Sequence, residues 1–84
     1  MPDEGTLTVL VREPDRDRTV MLFPADGGMV RVREWDTVGD VQEPVERRMR
    51  RSTAARMFQR AHDERCVMTP GLAEIRAWLE GLPR

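Results

Sequence analysis

Met29-Val30-Arg31-Val32-Arg33-Glu34-Trp35-Asp36-Thr37-Val38-Gly39 is the stretch that decides how the rest of the chain is arranged. Its first half alternates: Val30 and Val32 point one way, while Arg31, Arg33 and Trp35 point the other. A period of two marks a strand with one buried face and one wet face. Two guanidiniums and an indole in one row are an unusual filling for a surface that meets only water. Asp36, Thr37 and Gly39 then break the alternation and let the chain turn.

Working upstream, Ala25-Asp26-Gly27-Gly28 is the strongest turn signal in the chain, because Asp-Gly and Gly-Gly supply positive φ without steric cost. It predicts a hairpin between the central stretch and a short strand over 19–23, which Pro24 ends. Pro14-Asp15-Arg16-Asp17-Arg18 is a second turn signal. Residues 6–13 before it read as the first strand, with Leu7, Val9 and Val11 on one face. Residues 1–5 form a polar lead.

Downstream, residues 45–51 read either as a fourth strand or as the start of a helix, and the strand is preferred. As a strand it places Val45, Arg47 and Met49 on one side and Glu46, Arg48 and Arg50 on the other. Ser52 suits a helix N-cap, and Ala54, Met57, Phe58, Ala61 and Arg65 follow at helical spacing over 53–66. Thr69 and Pro70 suit the cap and first position of a second helix over 70–81. Leu72, Ile75, Trp78, Leu79 and Leu82 make its apolar stripe, and Gly81 with Pro83 stops it. The expected fold is α+β: a small antiparallel sheet of three or four strands followed by two helices packed on one face.

The 84 residues admit one domain, expected over 1–84, with a stability of about 5 kcal/mol. A net charge of −1 conceals a marked asymmetry. Residues 1–46 hold 11 acidic and 5 basic side chains, whereas 47–65 hold 7 arginines against Asp63 and Glu64. All 14 basic residues are arginine, so every cation can make planar, bidentate contacts with phosphate or carboxylate. Cys66 is the one cysteine, so no disulfide forms within the chain. His62 and Cys66 sit four apart, yet one histidine and one cysteine fall short of a structural zinc site, and no metal or cofactor is expected. Neither a secretory signal nor an apolar run long enough to span a membrane is visible, so a reduced, cytoplasmic protein is expected. The motifs of nucleophile elbows, phosphate loops and zinc proteases are absent, and an enzymatic role is not expected.

Val32-Arg33-Glu34-Trp35-Asp36-Thr37-Val38-Gly39, with Gln42 just after, resembles the WGR domain, named for a Trp-Gly-Arg signature followed by an apolar residue and glycine. The likeness spans roughly residues 6–68, through the two preceding strands, the short strand that follows and the helix opening on Ser52-Thr53-Ala54-Ala55. WGR domains occur in poly(ADP-ribose) polymerases and as small stand-alone bacterial proteins. In the polymerases they help bind DNA breaks, with the tryptophan against the DNA end. The resemblance carries over to Trp35 and Gly39, while Asp36 and Thr37 stand where the family has Gly and Arg. One cation is thereby lost and an anion gained.

Residues and resemblance together predict a small non-enzymatic module that binds nucleic acid, in particular DNA. Arg47, Arg48, Arg50 and Arg51 would form a phosphate-binding strip, continued by Arg56 and Arg60 on the first helix and by Arg31 and Arg33 on the sheet. Trp35 would stack on a base or sugar. The alternative is a protein-interaction module, in which the same strip meets an acidic partner or the last helix forms a homodimer. The plainer readings are a half-buried sheet tryptophan for Trp35 and a charge-protected strand edge for the arginines.

Overall fold

The alternation on the central stretch is realised in three dimensions. The structure, a computed structural model, describes residues 5–36 and 44–83. The turn residues Thr37 and Gly39, together with Gln42 and residues 1–4, lie outside the described residues. The elements are β1 (Leu7–Arg12), β2 (Asp17–Pro24), β3 (Met29–Asp36), β4 (Val45–Arg50), α1 (Arg51–Asp63), β5 (Val67–Thr69) and α2 (Leu72–Glu80). They build a five-stranded sheet in the order β4-β3-β2-β1-β5, and every pairing is antiparallel. The fold is α+β, with both helices on one face of the sheet.

Register places the core. Val9 stands opposite Val20, and Leu22 stands opposite both Leu7 and Val32. Val9, Val11, Val20, Leu22, Val30 and Val32 thus share one face, and none is more than 1% exposed. Helix α1 lays Ala54 and Phe58 on this layer, and α2 adds Ile75 and Leu79, with Leu82 behind. Burying a side chain such as Phe58 is worth about 1.5–3 kcal/mol, so these few residues carry most of the stability of so small a body.

Between β2 and β3 the predicted hairpin forms through a single 3₁₀ turn, Asp26–Gly28. Gly27 and Gly28 have φ of 71° and 74°, a region that side chains with a Cβ rarely adopt. The Ala25 amide donates to the Met29 carbonyl across the turn at 3.1 Å.

The sequence-based element ends shift where tertiary pairing overrides local chemistry. Helix α1 begins at Arg51 and its N-cap is Arg50, not Ser52, because β4 runs into α1 with no intervening loop. The same helix stops at Asp63 rather than 66, and Arg65 lies outside it at φ 66°. There the Arg65 amide donates to His62 O and the Cys66 amide to Ala61 O, the two bonds of a Schellman ending. Cys66 is left packed against the core. Thr69 does not cap α2. It pairs with Leu10 in β5, a fifth strand unforeseen in the sequence, and Gly71 becomes the cap.

Two outcomes follow for stability. Ile75→Ala should cost about 2–4 kcal/mol in chemical denaturation, since the buried position cannot collapse onto the vacated volume. Arg65→Gly should raise stability by about 0.5–1 kcal/mol, the left-handed penalty less the extra chain entropy of glycine.

Candidate functional site

The face of the sheet away from the helices is where the exposed chemistry collects. Alternation brings Met29, Arg31, Arg33 and Trp35 of β3 to this face, with Met21 and Phe23 from β2. From β4 come Glu46, Arg48 and Arg50, and from β1 and β5 come Thr8, Leu10, Arg12, Val67 and Thr69. Arg31 stands directly between Arg48 and Phe23, and Arg33 between Glu46 and Met21.

Phe23 is the residue that sequence reading passed over. The Arg31 and Arg33 guanidinium carbons lie 5.2 and 5.4 Å from its ring centroid, inside cation–π range. Hairpin register and the alternation of β2 together were the signal that could have revealed it. Glu46 ties the same pair from the other side: Arg33 Nε and Nη2 donate to Oε2 at 2.9 and 2.8 Å, and Arg31 Nη1 donates to Oε1 at 3.5 Å. The two guanidiniums are thus held in place yet remain accessible, with 46% and 41% of their side-chain surface exposed. Arg48 and Arg50 are exposed and have no ion-pair partner among the described residues.

Trp35 is half-buried at the end of β3, opposite Thr19. Thr19 in turn faces Leu10 across β1 and is only 8% exposed. Asp36, the anion introduced next to the tryptophan, is sent to the other face, where its Oδ1 lies 3.6 Å from Arg16.

The continuous strip of arginines expected from sequence is not formed. Strand β4 sends Arg47 to the helix side, where it donates to Glu34 at 2.9 Å. Arg51 opens α1 and directs its guanidinium at the carbonyls of Leu79 and Leu82, at 3.5 and 3.4 Å, closing the end of α2. Arg56 and Arg60 are exposed on α1, on the side of that helix away from the buried Ala54, Phe58 and Ala61. Of the predicted set, Arg31, Arg33, Trp35, Arg48 and Arg50 share one surface. Arg47, Arg51, Arg56 and Arg60 do not.

Away from the open face, six charges form an alternating chain: Asp36, Arg16, Glu13, Arg18, Glu34 and Arg47, linked at 2.9–3.6 Å. The hydrogen bond from Arg16, joined by the charges of Arg18 and Arg16, outweighs burial and holds the Glu13 carboxyl below its ordinary 4.5. On the open face, the hydrogen bond from Arg33 does the same for Glu46.

Among the described residues no three His, Cys, Asp or Glu side chains are placed to hold a metal ion. No helix among the described residues is long and apolar enough to cross a membrane. Comparison with protein-family models, curated proteins and solved structures gave no match to this chain.

Depressed carboxyl pKa values stabilise the fold above the unfolded value of 4.5, and that contribution is lost as pH falls through the lower folded values. The thermal midpoint should therefore decline on acidification below pH 4.5. In a pH series of melting curves, Glu13→Gln and Glu46→Gln should each flatten that decline.

Proposed function

We propose that this chain binds nucleic acid through the open face of its sheet, without reading base sequence. The observation that carries the reading is the pairing of Arg31 and Arg33 with Phe23, beside Arg48 and Arg50 on the neighbouring strand, with Trp35 farther along β3 and Glu46 the carboxylate that Arg31 and Arg33 share. Arginine offers phosphate a planar fork of donors, and a neighbouring aromatic gives a base or sugar something to stack on. The WGR resemblance, which rests on Trp35, points to the same class of ligand.

Binding of this kind draws on counterion release and weakens steeply as salt rises. Self-association through the same face would set two net-positive patches against each other, which is unfavourable. The other route to a dimer, the apolar stripe of α2, is already spent on the core through Ile75, Leu79 and Leu82.

Fluorescence anisotropy with a labelled oligonucleotide at several salt concentrations tests the proposal. With about three phosphates neutralised, log K against log salt should have a slope of about −2 to −3. Arg48→Ala with Arg50→Ala should weaken binding about tenfold or more and make the slope shallower by about one to two. Arg56→Ala with Arg60→Ala, on the far side of the molecule, should change affinity about twofold at most. Equal losses from both pairs, or a flat salt dependence, would dismiss the open face as the binding surface.

A further inference from the structure

The open face is divided in two, and the division says what form of nucleic acid it suits. The half built from β4 and β3 holds Arg31, Arg33, Arg48 and Arg50. Across Met21 and Phe23 lies the half built from β1 and β5, where Thr8, Leu10, Val67 and Thr69 carry no charge. Leu10 is 47% exposed and Val67 62% exposed, two of the three large aliphatic side chains left most open among the described residues. Charge returns at the end of this half, where Arg12 stands between Asp17 and Val67.

From this segregation we infer that the ligand is an unpaired polynucleotide strand, an inference that rests on the nucleic-acid reading above. A single strand has the same division. Its phosphates run along one side and its bases, with apolar π faces, project from the other. Laid on the sheet, the backbone follows the arginines of β4 and β3. The bases then extend over Phe23 and Met21 toward Leu10, two strand spacings from β3 or about 10 Å across the sheet, with Val67 of β5 beyond it. Trp35, Thr19 and Leu10 stand in one cross-strand row and border this uncharged area. A duplex keeps its bases stacked inside and presents phosphate on both rims. Against this face it would satisfy the arginines and leave Leu10 and Val67 without a partner. Stacking tolerates any base, which agrees with the lack of sequence reading.

Three labelled ligands of equal length decide the matter by anisotropy at low salt: oligo(dT), oligo(rU) and a mixed-sequence DNA duplex. The single strands should bind about tenfold tighter than the duplex. Any preference between the first two identifies the sugar that the face accepts. Leu10→Thr and Val67→Thr remove apolar surface without adding charge, at positions exposed enough to leave the fold intact by circular dichroism. Each should weaken single-strand binding about threefold to tenfold and leave duplex binding unchanged. Equal affinity for duplex and single strand, or indifference to both threonine variants, overturns the inference while nucleic-acid binding itself stands. If none of the three ligands binds, both readings fall.

Discussion

Val30 and Val32 are both fully buried, and that burial fixes the exposed half of the molecule as firmly as the core. Side chains on a strand alternate strictly, so holding these two valines against Leu22 and the helices commits Arg31, Arg33 and Trp35 to the opposite surface. A slip of one residue would drive two guanidiniums into the core, at a cost no domain of this size can bear. The apolar pattern thus does double duty. It specifies the register of the sheet, and register assembles side chains from β2, β3 and β4 into one surface.

Charge is sorted by the same pleat. Arginines that alternate to the helix side meet carboxylates: Arg18 lies between Glu13 and Glu34, and Arg47 ends on Glu34. Those on the open face outnumber their acidic neighbours, with Glu46 shared between Arg31 and Arg33. A net charge near zero therefore coexists with a local positive surface, because Glu13, Glu34 and Asp36 pair with arginines away from it. Exposed ion pairs add little to stability. Their effect here is to leave some cations neutralised and others available.

Much of this was legible from residue order alone. The alternation in 29–36, the Gly-Gly turn and the apolar stripes of both helices gave the architecture, because each is a local consequence of the physics that forms the element. The sequence reading of 45–51 as a strand also placed Arg48 and Arg50 correctly opposite Arg47. What escaped was non-local. Strand β5 is three residues long and exists through its pairing with β1. Arg51 reads as one more surface arginine because nothing nearby in sequence shows that the end of α2 lies beside it. Phe23 reads as an ordinary strand residue until the hairpin register sets it beneath two guanidiniums.

The direct passage of β4 into α1 has a mechanical consequence. Arg50 ends the strand on the open face, and the very next residue, Arg51, begins the helix and grips the tail of α2. No loop separates the sheet from the helical layer at this junction, so the two are joined there by a single peptide bond. A molecule seated on Arg48 and Arg50 would find its landing surface already shaped, and little freedom would be lost in the docking there. The same junction thus ties the edge strand to the last helix of the fold.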